Sequence, residues 1–165
     1  MVKWPRFILL AVVVALGAWA WVVLHPTPEH LIRHKLEDLA RAASFGPNQG
    51  SLAKLAGAQR VADFCATNVE VHIDVPGQQE RSLAGREDVQ QAALAARASV
   101  PALTVTFPDA TVVVSADKQS AMADLTLQAQ VAGEREMIVQ EVKVTFQKID
   151  GQWLIVKVET VRTLR

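Results

Sequence analysis

The sequence predicts an α+β domain suspended from an N-terminal transmembrane helix. Three observations carry this. Residues 7–24, FILLAVVVALGAWAWVVL, run eighteen positions without a charge. Apolar residues then recur at helical spacing in three segments as far as Pro101, and from there to the C-terminus they alternate with polar ones at period two. Helices first and antiparallel strands last is the order of an α+β fold, with helices packed on a sheet.

The anchor comes first. A helix rises about 1.5 Å per residue, so 7–24 spans roughly 27 Å, close to the hydrocarbon thickness of a bilayer. Trp4 at one end and Trp19 and Trp21 near the other stand where amphipathic rings favour the headgroup level. Ala18-Trp19-Ala20 also fits a signal-peptide cleavage site, but the apolar run continues through Trp21-Val22-Val23-Leu24 beyond that cut. The reading is therefore an uncleaved anchor, and either reading exports the domain. Lys3 and Arg6 lie tight against the first end, whereas Arg33 and Lys35 are farther out and mixed with Glu29, Glu37 and Asp38. The positive-inside rule then leaves residues 1–6 in the cytoplasm and the C-terminal domain periplasmic or extracellular, on a single pass through the cytoplasmic (inner) membrane. Residues 25–30 read as a linker and 31–165 as the domain.

About 140 residues follow the anchor, enough for one core. Basic and acidic residues balance at 17 each with no basic block, which argues against nucleic acid as a partner. Cys65 is the only cysteine, so no intramolecular disulfide forms, and a lone Cys reads first as a small buried hydrophobe. There is no Tyr, and Trp153 is the only Trp outside the anchor region.

Thr27 suits an N-cap, Pro28 the first helical position and Glu29 the positive end of the dipole. Ile32, Leu36, Leu39 and Ala43 then form one apolar stripe, stopped by Phe45-Gly46-Pro47. Ser51 is read as the cap of a second helix carrying Leu52, Leu55, Ala58, Ala62 and Cys65. Val69, Val71, Ile73 and Val75 alternate with Glu70, His72 and Asp74, which is a half-buried strand broken at Pro76-Gly77. A third, Ala-rich helix covers roughly 87–99, ending before Pro101. Strands are expected near 102–107, 110–115, 120–132, 136–149 and 152–163. Turns fall at Ala116-Asp117-Lys118, Ala132-Gly133-Glu134 and Asp150-Gly151, the last a strong hairpin signal.

The segments ADFCATNVEVHIDVP, GREDVQQA and FQKIDGQWLIVKV, in this order and spacing, resemble the nuclear-transport-factor-2-like (NTF2-like) superfamily, in particular its SnoaL-like members. The resemblance covers about Leu31 to Leu164. It implies a cone-shaped domain of about three helices on a curved, mainly antiparallel sheet, often enclosing a pocket. The superfamily hosts isomerases, dehydratases, ligand binders and assembly modules, so it does not fix the function.

Strand parity locates the candidate residues. Ala121, Ala123, Leu125, Leu127, Ala129 and Val131 share one face, as do Ile138, Val142, Val144 and Phe146, with Gln140 their one polar member. Phe107, Leu125, Gln140 and Phe146 are the expected lining of an apolar pocket. In the last strand Leu154, Val156, Val158 and Thr160 are expected inside. Trp153, Ile155 and Lys157 are expected outside, forming with Glu141 a docking face for a second copy or an envelope protein. The resemblance makes Asp74 the approximate match to the proton-shuttling Asp of the ketosteroid-isomerase branch, but the Tyr that branch uses has no counterpart here. His72, two residues before it, could complete a His–carboxylate pair on one strand face. His30 and His34 have zinc-ligand spacing but lie opposite the apolar stripe, with no third ligand evident. Neither a metal nor a cofactor is expected. Two readings result. One is a non-catalytic, anchored domain for protein assembly or binding of a small apolar ligand. The other is an isomerase, dehydratase or hydrolase using Asp74.

Overall fold

The computed structural model describes residues 11–17, 26–74 and 81–161. Residues 11–17 are helical; the rest of the expected anchor, and the Pro76-Gly77 break, lie outside the described residues. Among the described residues no helix is long and apolar enough to cross a membrane.

Helix α1 (Pro28–Ala43) starts as its cap residues dictate: the Thr27 hydroxyl accepts from the His30 N–H at 3.4 Å, with Pro28 opening the first turn. The expected linker 25–30 is thus shorter, because its last three residues are already helical. Ile32 and Leu36 point into the core, each worth about 1.5–3 kcal/mol in burial. At the other end the Ser44 N–H and hydroxyl both donate to the Ala40 carbonyl, and the Ser44 Oγ accepts from the Val105 N–H at 2.9 Å. Phe45 is more than a stop: it is buried and exchanges two backbone hydrogen bonds with Leu103.

Helix α2 (Ser51–Ala62) corrects two expectations. Ser51 is the first helical residue rather than the cap, which is Gly50. Leu52 and Leu55 stand 83% and 47% exposed, while Gly57, Ala58 and Ala62 form the buried face. Small residues let α2 lie close against α3, and that turns the leucines outward. Helix α3 (Arg86–Ser99) begins at Gly85, whose φ of +97° suits glycine. The Gly85 N–H donates to the Val69 carbonyl at 2.7 Å and Arg86 Nε to the Cys65 carbonyl at 2.9 Å. The Gly-Arg-Glu start therefore ties α3 to β1 (Cys65–Ile73).

The remaining strands are β2 (Arg81–Ala84), β3 (Leu103–Thr106), β4 (Ala110–Val114), β5 (Ser120–Val131), β6 (Met137–Ile149) and β7 (Gln152–Thr160). They form one sheet in the order β2-β1-β7-β6-β5-β3, with β4 sharing the outer edge of β5. All pairs are antiparallel except β1 with β7. Strand β2 escaped the sequence reading because RSLA is a short edge segment without alternation. Asp150 and Gly151, both at positive φ, close the β6–β7 hairpin.

The largest correction lies in β7. Thr145 faces Lys157 but Phe146 faces Ile155, so Val156 is an extra residue, a bulge. A bulge reverses parity. Val158 and Thr160 sit opposite Val144 and Val142 on the inner face as expected, but before the bulge it is Trp153 and Ile155 that point inward. They are 4% and 2% exposed and belong to the core with Val69, Phe146 and Val144. Neither contributes to a docking face.

Candidate functional site

Phe107 is the one expected pocket residue that borders the groove between α1 and the β3–β4 edge. This groove holds about 550 Å³. Its floor is apolar, from Leu36, Ala40, Val105, Phe107 and Ala110, and Arg33, Glu37, Arg41 and Ser44 stand at its rim. The helix periodicity of α1 places Leu36 and Ala40 inward, with Arg33, Glu37 and Arg41 beside them one turn apart. Arg41 is ion-paired to Asp38. An apolar floor with a few polar groups at the edge is the usual make-up of a small-molecule site.

The other expected pocket residues lie elsewhere. Phe146, 1% exposed, is packed into the core. Leu125 is also buried and its outer side borders a shallow hollow with Asp124, Thr126 and Glu141. Gln140 is half-buried on the inner face, near the β7 end, where its Nε2 lies 3.4 Å from the Val161 carbonyl. Asp74 follows directly on β1 at the same end of the sheet. Its N–H donates to Thr160 Oγ1 at 2.9 Å, and that hydroxyl donates back to the Asp74 carbonyl at 3.2 Å. Asp74, Thr160 and Gln140 thus gather at one end of β1, β7 and β6. His72 shares strand parity with Asp74 on the outward face, 3.9 Å from Glu70 and beside Glu159, whereas the bonds to Thr160 are made by the Asp74 backbone.

On that outer face Lys157 bridges Glu159 at 2.5 Å and Lys143 bridges Asp124 at 3.7 Å. Each of Lys157 and Glu159 holds the other in its charged form, raising the Lys157 pKa and lowering that of Glu159. Glu141 shares the face. With Trp153 and Ile155 withdrawn, the exposed apolar residues there include the paired Val113 and Met122. His30 and His34 meet edge to face at 4.5 Å, and His34 also lies 3.5 Å from Glu37. Among the described residues no group of His, Cys, Asp and Glu could hold a metal ion. Cys65 is buried, and burial pushes its thiol up to about 11 against the opposing pull of Arg86. A thiol that stays protonated is a poor nucleophile.

One residue was missed altogether. Arg97 is 4% exposed, inside a helix that reads as Ala-rich and amphipathic. Its guanidinium donates to Gln49 Oε1 at 3.1 Å and to the Ala42 carbonyl, and lies 4.8 Å from the centre of the Phe45 ring. The available sequence signal was Gly57 in the facing helix, the only residue type that leaves room there.

No protein-family model matches the chain, and no curated protein matches it. Solved structures do. An NTF2-like protein of unknown function from Pseudomonas putida superposes with a TM-score of 0.62 at 12% identity, over 83% of this chain and 87% of that one. A candidate scytalone dehydratase from Novosphingobium aromaticivorans gives 0.59 at 14% identity, over 81% and 82%. The yeast UBP3-associated protein BRE5 gives 0.61 at 11% identity, over 84% and 100%. At such identities the likeness shows the fold, helices on a curved mixed sheet of NTF2-like type, and no more.

Proposed function

We propose that this NTF2-like fold is anchored through residues 7–24 outside the cytoplasmic membrane and serves as a non-catalytic binding domain for a small apolar or amphipathic molecule. The charge-free run and the Lys3/Arg6 flank support the placement. The observation that carries the binding role is the groove of about 550 Å³ with Phe107 in its apolar floor and arginines at its rim. Anchoring keeps such a domain at high effective concentration near envelope partners. A partner on the outer face of the sheet would meet Lys157, Glu159 and Glu141.

Native mass spectrometry of the full-length protein released from detergent tests this reading. A retained small-molecule mass that disappears in Phe107→Asp supports it. Bare protein, or a mass unaffected by Phe107→Asp, refutes the groove as the site.

The second reading, an enzyme using Asp74, is favoured by one observation: Thr160 clamps the Asp74 backbone on both sides at the end of the sheet where Gln140 also lies. Candidate substrates would be apolar carbonyl compounds. Asp74→Asn that folds normally but abolishes turnover would support it, whereas unchanged turnover would end it.

A further inference from the structure

A separate hollow of about 320 Å³ opens between the 45–50 turn and the C-terminal end of α3. We infer that it binds a small carboxylate anion bearing a short apolar body, gripped by Arg97 and attracted by Lys54.

The argument starts from the charge. Arg97 is nine-tenths buried and always protonated, and burying an uncompensated charge is costly. Among the described residues no carboxylate lies within ion-pair distance of it. Its protein acceptors, Gln49 Oε1 and the Ala42 carbonyl, are both neutral. A guanidinium carries five N–H donors in one plane, and these two bonds leave others unspent. Burial and the neighbouring cation Arg60 both work against the charge, lowering its pKa. An anion in the hollow would relieve each of these terms.

The walls specify which anion. Phe45, Pro47, Val100 and Pro101 supply the hydrocarbon part of a lining that is otherwise polar, enough to seat a short apolar body beside the charge. Lys54, half-buried on the wall, adds a second positive charge. Helix α2 begins at Ser51 beside Gln49 with no side-chain cap on its first N–H groups, so its positive end adds to the field. A planar carboxylate matches the guanidinium fork, and its apolar body matches the walls.

Calorimetric titration of the full-length protein in mild detergent, in chloride buffer, tests this. The probes are butyrate and benzoate, with butyramide, benzamide and inorganic phosphate as controls. A carboxylate should bind and raise the melting temperature while its amide does not. Arg97→Lys should weaken binding roughly ten- to hundredfold, the loss of one charge-assisted bond. Lys54→Gln, on a part-exposed side chain, should weaken it several-fold. Phe107→Asp should leave it unchanged, which separates this site from the groove. The inference is overturned if neither carboxylate binds at millimolar concentration, if the amides bind as well, if phosphate binds more tightly, or if Lys54→Gln has no effect.

Discussion

Replacing Gly57 by alanine sets two opposed terms against each other. In an ordinary helix interior the change gains about 1 kcal/mol, because glycine gives up more backbone entropy on folding. Here the added Cβ would stand 2.5 Å from Arg97 Cζ and 2.6 and 2.8 Å from its two terminal nitrogens. Atoms do not approach so closely, so the guanidinium at the end of the Arg97 side chain must shift off its present partners. Leaving forfeits the bonds to Gln49 and Ala42, about 1.5–3 kcal/mol each as hydrogen bonds to a charged group. It also forfeits the stacking over Phe45, about 0.5–2 kcal/mol. With partial relaxation, Gly57→Ala should cost about 3 kcal/mol net, or roughly 6–12 °C in melting temperature for a chain of this size. The assay is urea and thermal unfolding of Gly57→Ala in two backgrounds, wild type and Arg97→Met. Without the guanidinium the clash is gone and the helix term stands alone, so the same substitution should stabilise Arg97→Met by about 1 kcal/mol. An effect of the same sign in both backgrounds would refute the reasoning.

Other outcomes follow from the same geometry. Trp153→Ala should lose about 3–5 kcal/mol and Leu154→Ala less than about 1.5 kcal/mol in denaturant unfolding; the reverse order would dismiss the bulge at Val156. Thr160→Val removes two hydrogen bonds to the Asp74 backbone and should destabilise by about 1–3 kcal/mol, with faster amide exchange at Asp74. Cys65 keeps its proton in the fold up to about 11, whereas an unfolded thiol titrates near 8.5. The native state therefore holds the extra proton above about pH 9. The stabilisation is complete below that point and is lost as pH rises toward 11, at about 1.4 kcal/mol per unit. Urea midpoints measured from pH 8 to 11 should show this slope in wild type and lose it in Cys65→Ala.

The legible parts of the fold are those where one physical signal acts alone. Thr27-Pro28-Glu29 marks a helix start, Asp150-Gly151 a tight hairpin, and the alternation from Ala121 to Val131 a strand with one buried face. The illegible parts are those where two arrangements satisfy the same residues. Trp153, Leu154, Ile155 and Val156 are all apolar, so either parity buries two of them, and nothing in the sequence marks the bulge that decides. Leu52 and Leu55 look like core residues until the close approach of α2 and α3 at Gly57 and Ala58 turns them to solvent. In the candidate sites, Phe107 is the expected pocket residue that borders the groove. Arg97 was not legible, because an arginine in an Ala-rich helix reads as surface unless the facing glycine is weighed with it.

The place of β7 in the sheet has a consequence for how the chain reaches its fold. Strands β1 and β2 form one half of the sheet and β3 to β6 the other, and β7 alone joins them, parallel to β1 and antiparallel to β6. The last strand of the sheet in chain order is thus the keystone of its middle. Until Gln152–Thr160 emerges, the two half-sheets have no strand in common and Phe146 lacks Ile155 across from it. A chain stopped short of Trp153 would leave both halves with an open edge and an unfilled core, a state prone to aggregation. Closure of the sheet therefore waits on the last of its strands in chain order, however early the two halves form.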